Sequence, residues 1–325
     1  MLTRKTIGFL IKIGIVALAL FFLYQQLIIK GEVDKHSLDD IITKLKGNYI
    51  IVVVVVLMML LNWFLEALKW RFLIAKIEKV SIKRSLRAIF SGITVSAFTP
   101  NRVGEYGGRV FCLEKADRIQ AVLITVIGSM AQLLTTIIFG SIGLLYLPSY
   151  QSDLTLFLDV GSFTYSIIAL ILILLNLLFI LLFLNVSVLT NLLAKIPFLK
   201  KFKKYSGVFS FYSFEELLKV LAYSVARYVV FTTQFFILLQ LFDVQMLYAD
   251  AILLIMSMFF VISVIPTIAI TEIGVRGSVA LFLFGLVSAN TVGILSATFV
   301  LWIINLLIPS LIGVIFIFTL KFFRK

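Results

Sequence analysis

Most of the chain is made of apolar stretches too long for a soluble core. Runs near residues 7–29, 48–69, 119–147, 163–185, 214–240 and 290–320 each reach the roughly 20 residues that an α-helix needs to cross a hydrocarbon core. Six transmembrane helices are therefore predicted. Two further apolar stretches cover 85–116, broken at Pro100, and 247–287, broken at Pro266. Each half is short and carries polar residues, so the pattern predicts a re-entrant pair of half-helices rather than two crossings. The first run follows Arg4 and Lys5 and continues well past Ala17 and Ala19. That is too long for the apolar region of a signal peptide, so it is predicted to be a retained span.

Composition supports this reading. The chain is 62% hydrophobic and 14% charged, with a mean hydropathy of +1.13, whereas soluble domains carry about 25% charged residues. The net charge of +13 does not indicate nucleic acid, because the basic residues sit in short segments beside apolar spans. There they set orientation and meet anionic headgroups of the cytoplasmic leaflet. Arg4 and Lys5, then Lys69 to Arg87, then Lys195 to Lys204, then Lys321 to Lys325 fall on one side. Loops 148–162 and 241–250 carry no basic residue, and loop 30–47 balances four lysines with four acids. Six spans with both termini in the cytoplasm satisfy this distribution. Trp70 and Arg71 read as interface anchors, and Lys195 to Lys204 reads as an interfacial helix or a plain basic loop. Cys112 and His36 are the only residues of their kinds, so no disulfide, multi-cysteine or multi-histidine metal site is expected. No cofactor or catalytic residue is predicted.

The two broken stretches resemble each other. Glu105-Tyr106-Gly107-Gly108-Arg109 follows Pro100, and Glu272-Ile273-Gly274-Val275-Arg276 follows Pro266, both reading E-x-G-x-R. A single membrane domain over 1–325 is predicted, made of one unit over 1–147 and a second over 163–320. Each unit has three crossings and one hairpin, so the second lies inverted relative to the first. Inverted repeats with broken helices characterise transporters, with the site near the midplane where the repeats meet.

The candidate substrate-binding residues are Arg102, Glu105, Arg109, Glu272, Arg276 and Arg227. Glu and Arg four apart lie across one helical turn in the favourable order, and pairing lowers the cost of placing charge in a bilayer. Guanidinium groups offer a planar fork to phosphate, and half-helix N-termini near Asn101 and Thr271 would add positive dipole ends. The bland alternative is that each pair only neutralises itself. Gly104, Gly107, Gly108, Gly274 and Gly277 would thin one face of each hairpin. Arg227 lies deep in the fifth span and needs a partner, for which Glu272 and Glu105 are the candidates. Gln132, Gln234 and Asn305 are expected to bond between helices.

The run Thr99-Pro100-Asn101-Arg102-Val103-Gly104-Glu105, followed by Arg109, resembles the transmembrane region of the lysylphosphatidylglycerol synthase/flippase family. Pro266 to Gly277, with Glu272 and Gly274, looks like a second signature, although Ile268-Ala269-Ile270 replace a run usually richer in glycine and proline. The resemblance implies an all-α polytopic protein of a prokaryotic cytoplasmic membrane, with phospholipid as its partner and oligomerisation left open. Some members fuse an aminoacyltransferase domain, which is not expected here. The flippase-like half is the implied activity: movement of a phospholipid or other phosphate-bearing lipid between leaflets. Two alternatives stay open, a membrane partner that regulates a lipid enzyme and an intramembrane lipid-pyrophosphate phosphatase.

Overall fold

The computed structural model describes residues 35–99, 102–147, 162–188, 200–265 and 269–318, with a few isolated positions before residue 35. The described residues form helices joined by short turns, with no strand among them. In chain order they form α1 (Lys35–Gly47), α2 (Tyr49–Ile74), α3 (Ile82–Ser96), α4 (Gly104–Val110), α5 (Arg118–Tyr146) and α6 (Ser162–Leu184). A 3₁₀ segment (Lys200–Phe211) leads into α7 (Phe214–Leu241), α8 (Tyr248–Val264) and α9 (Ala269–Phe284). The last helix, α10 (Thr291–Ile317), is π-helical over Ile303–Leu307.

Five of these helices, α2, α5, α6, α7 and α10, are long and apolar enough to cross a membrane. They coincide with five of the six predicted spans. The sixth, 7–29, lies outside the described residues apart from isolated positions, as do Pro100, Asn101 and Pro266. Helix α3 ends at Ser96 before α4 begins at Gly104, and α8 ends at Val264 before α9 begins at Ala269. Segment 30–47, expected as a loop, is instead helical from Lys35 onward. Its Ile41 is buried in the core, and its Lys44 pairs with Asp243 beyond α7.

Helix boundaries follow local chemistry. The Ser81 hydroxyl accepts the Arg84 N–H at the start of α3, and Asp117 caps α5 by accepting from Ile119 and Gln120. Ser213 and Glu216 form a reciprocal capping box on α7. Inside α10, Pro309 supplies no N–H to the turn before it, and the π-helical stretch accommodates that missing bond.

Packing pairs elements across the two halves of the chain. Helix α8 lies along α5, α3 lies along the C-terminal part of α10, and α2 packs on α7. Within each half, α3 packs on α4 and α8 on α9. Glycine permits the closest crossings. A Cβ on Gly313 would stand 2.1 Å from the Phe90 carbonyl oxygen of α3, and one on Gly108 would stand 2.6 Å from the Gly92 Cα. Gly104 is similarly tight against Val95 and Thr99. The predicted thin face is only part of the picture, however. A Cβ on Gly274 meets nothing, one on Gly107 only brushes Phe111 at 4.0 Å, and one on Gly277 meets the tip of Leu295.

Trp70 corrects a second expectation. It is buried at 1% exposure and its indole N–H donates to Thr125 Oγ1 at 3.1 Å. It is a packing residue of the bundle, not an interface anchor. Lys69 is just as buried, although the charge distribution placed it in the cytoplasmic loop.

Candidate functional site

Two charged clusters occupy the interior. The first centres on Glu66 of α2, a buried carboxylate. Lys69 Nζ lies 2.8 Å away, one turn along α2, and Arg109 Nη1 of α4 lies 2.7 Å away. Arg227 of α7 completes the set through Nη1. Arg109 also pairs with Glu105 on its own helix, the pairing expected from the i, i+4 spacing. Lys69 donates further to the Gly128 carbonyl and to Ser224 Oγ, both at 3.2 Å.

The second cluster joins the hairpins. Glu272 of α9 receives Arg276 from the same helix at 2.7 Å and Arg102 from the first hairpin at 2.7 Å. Arg102 and Glu272 are 170 residues apart in sequence. Arg102 has a φ of 57°, in the left-handed region that side chains other than glycine rarely occupy. Such conformations gather where surrounding structure holds a residue for function.

Arg227 connects the two clusters. Its Nε donates to Asn62 at 3.0 Å and its Nη1 to Gln132 at 3.3 Å, and its guanidinium sits 5.4 Å from the centre of the Trp63 ring. It also lines a cavity of about 590 Å³, together with Arg102, Glu272 and Arg276. The rest of the wall comes largely from α2, α5, α7, α8 and α10, and is rich in aromatic side chains. That volume falls within the roughly 300–1,000 Å³ usual for small-ligand sites.

The sequence-predicted residues therefore separate. Arg102, Glu272, Arg276 and Arg227 meet at the cavity. Arg109 and Glu105 are not part of its wall, because Glu66 and Glu105 hold the Arg109 guanidinium beside α2. The partner of Arg227 is Glu66, not Glu272 or Glu105 as expected, because Glu66 faces α7 at the same depth. Gln234 and Asn305 do bond between helices: Gln234 Nε2 donates to the Val55 carbonyl, and Asn305 Nδ2 donates to Gln234 Oε1 at 2.9 Å.

Sequence reasoning missed Glu66 and Lys69 as interior groups. The signal was available in the spacing. Asn62, Glu66 and Lys69 stand at i, i+4 and i+7, one stripe of a helix, and a polar stripe on an otherwise apolar span faces protein, not lipid.

Residues 9–313 match the family described as Lysylphosphatidylglycerol synthase TM region. The chain belongs to this family. A search of curated proteins gave no match, and neither did a search of solved structures. Membership, together with the five membrane-length helices, makes this a multi-pass membrane protein associated with lipid metabolism or transport. The Arg102 and Glu272 motifs both lie within the matched region.

Proposed function

We propose that this family member is a flippase-like transporter, moving a phospholipid or another phosphate-bearing lipid between leaflets of a prokaryotic cytoplasmic membrane. The observation that carries the reading is the cavity wall, where among the described residues Arg102, Arg227 and Arg276 stand with one carboxylate, Glu272, which pairs with Arg102 and Arg276. Counting both clusters, Lys69, Arg102, Arg109, Arg227 and Arg276 face Glu66, Glu105 and Glu272. Among the described residues this leaves two positive charges in excess, at a depth where uncompensated charge is expensive. An incoming phosphate offsets that excess, and the guanidinium forks match its oxygens. Glu272 holds Arg102 and Arg276 until the phosphate replaces it.

The reading includes six crossings, with both termini in the cytoplasm and the two hairpins re-entering from opposite sides. Its support is the basic-residue distribution and the correspondence of contacts between the halves. In each half a long helix is followed by a broken pair, and the first member of that pair packs on the last long helix of the other half. This arrangement suits a site that opens to one leaflet and then to the other.

Purified protein in vesicles containing a fluorescent phosphatidylglycerol tests the proposal, with leaflet exposure read by dithionite quenching. Wild-type protein should move the lipid faster than protein-free vesicles do. Arg102→Ala and Arg276→Ala should fall to background, and Arg276→Lys close to it. Movement by Arg102→Ala and Arg276→Ala at the wild-type rate would overturn the phosphate-binding role.

A further inference from the structure

Lys69 and Arg227 meet at one atom. Both pair with Glu66 Oε2, while Arg109 takes the other oxygen and holds Glu105 as a second partner. Two like charges therefore share a single carboxylate oxygen, in an interior that screens their repulsion weakly. Around Glu66 three cations face two carboxylates. Of the three, only Arg227 also lines the cavity. Only Lys69 can give up its proton, since arginine stays charged. The remaining described partners of Lys69 are uncharged: the Gly128 carbonyl of α5 and Ser224 Oγ of α7, both at 3.2 Å. The contact of α3 with α2 two residues away is uncharged as well, with Ser85 donating to the Ala67 carbonyl. Toward the ends of α2 and α7, Lys219 lies over the Phe72 ring and Lys76 pairs with Glu216.

Resting on the lipid-binding reading above, we propose that Lys69 is a proton site, loaded when the lipid phosphate draws Arg227 away from Glu66 and emptied when Arg227 returns. The charge count supports this coupling. With every group ionised, the two clusters carry two positive charges in excess, and an amine in place of the Lys69 ammonium lowers the excess to one. A bound phosphodiester with Lys69 protonated leaves the same excess of one. The proton thus offsets the arriving phosphate charge, and the interior keeps its balance through the exchange. In the step itself, the Nζ lone pair bonds a proton supplied by a solvent acid, which leaves as its conjugate base. The return of Arg227 reverses that transfer. The partners of Nζ suit both forms. The Gly128 carbonyl and the Glu66 carboxylate only accept, whereas a serine hydroxyl accepts from an ammonium or donates to an amine. Ser224 Oγ accepts from Lys69 and donates to the Val220 carbonyl, both at 3.2 Å. Turning its hydroxyl hydrogen toward Nζ serves the neutral amine.

Calorimetric titration of the purified protein in detergent tests this, with a short-chain phosphatidylglycerol as the probe. Repeating it in buffers of different ionisation enthalpy counts the protons bound with each lipid. The range from about pH 6 to about 10 covers both buried and exposed lysine amines. The phosphodiester stays a single anion throughout it, so any proton taken up goes to the protein. Wild type should take up as much as about one proton per lipid, and its affinity should fall by up to about tenfold per pH unit as the pH rises. Lys69→Arg is permanently charged and should bind without proton uptake, at the affinity that wild type shows at the acid end. Lys69→Met is permanently neutral and should also bind without uptake, no more tightly than wild type at the alkaline end. Unfolding temperatures accompany both variants, and wild-type uptake decides alone if neither folds. Lipid binding by wild type without proton uptake anywhere in the range overturns the proton site. So does uptake that survives both Lys69→Arg and Lys69→Met, which assigns the proton to another group such as Glu272. Absence of lipid binding by wild type removes the lipid-binding reading itself, and the proton site with it.

Discussion

Glu66 shows how much one carboxylate can organise. Its two oxygens receive Lys69, Arg109 and Arg227 from three helices, so deleting its charge takes Lys69 and Arg227 off their carboxylate in a low-dielectric interior and leaves Arg109 with Glu105 alone. Removing one partner of a buried ion pair costs about 3–5 kcal/mol. Glu66→Gln is therefore expected to lower the unfolding temperature in detergent markedly. Glu105→Gln should cost only about 1 kcal/mol, because its carboxylate is a quarter exposed and Arg109 keeps Glu66. Equal losses in the two variants would show that Glu66 is not the hub. The contrast also marks the reach of sequence reasoning. Glu105 with Arg109 and Glu272 with Arg276 are readable because a helical turn fixes their spacing. The pairs from Glu66 to Arg227 and from Arg102 to Glu272 span 161 and 170 residues, and only the packing of distant helices brings them together.

At the scale of elements, glycine divides by its neighbours. Gly313 lets α10 touch the backbone of α3, and an added methyl group would meet the Phe90 carbonyl and Thr94 Oγ1, each at 2.1 Å. Gly313→Ala should destabilise by about 1–3 kcal/mol through overpacking. Gly274, exposed on α9, has open space around it, so Gly274→Ala should be neutral or gain about 0.5–1 kcal/mol from helix propensity. Thermal unfolding of both variants checks the pair, and a loss at Gly274 would reveal a contact that the fold does not show. Sequence alone cannot make this distinction, because both glycines occupy apolar helices. A loop contact adds a pH dependence. Glu78, between α2 and α3, accepts N–H groups from Glu114, Lys115 and Ala116 and the guanidinium of Arg84 at 3.2 Å. Burial pushes its carboxyl upward, but the three backbone donors and Arg84 outweigh that and hold it below its ordinary value of 4.5. A depressed folded value contributes stability that is present above the ordinary value and lost as pH falls through the folded one. The stability gap between wild type and Glu78→Gln should thus be open at neutral pH and close as the pH drops well below 4.5. A gap independent of pH would mean that the carboxylate charge is not what anchors the 114–116 turn.

For the whole molecule, the hydropathy pattern made the long helices legible, since a bilayer demands length and apolarity of each one separately. The division of α3 from α4 and of α8 from α9 was legible too. How the broken pairs meet was not, because it depends on both halves at once. Two ion pairs agree with the proposed sidedness: Lys44 with Asp243 joins two segments assigned outside, and Lys76 with Glu216 at 2.7 Å joins two assigned to the cytoplasmic end. Between these ends, Arg102 and Glu272 tie the first hairpin to the second. If the cavity opens alternately, the hairpins must separate in at least one state, and a tether at this point should stop the cycle. The test is a protein carrying Cys112→Ser, Arg102→Cys and Glu272→Cys, joined by a bifunctional thiol reagent long enough to replace an arginine–glutamate pair and cleavable by reductant. The double substitution alone removes two cavity charges of opposite sign and weakens phosphate binding, so the comparison is internal to it. Residual lipid movement in vesicles should vanish on cross-linking and return on reduction, while either single cysteine treated with the reagent should be unaffected by the reductant. Undiminished movement in the cross-linked protein would show that the hairpins travel together, and the path for the headgroup would then have to open along α8 and α10 instead.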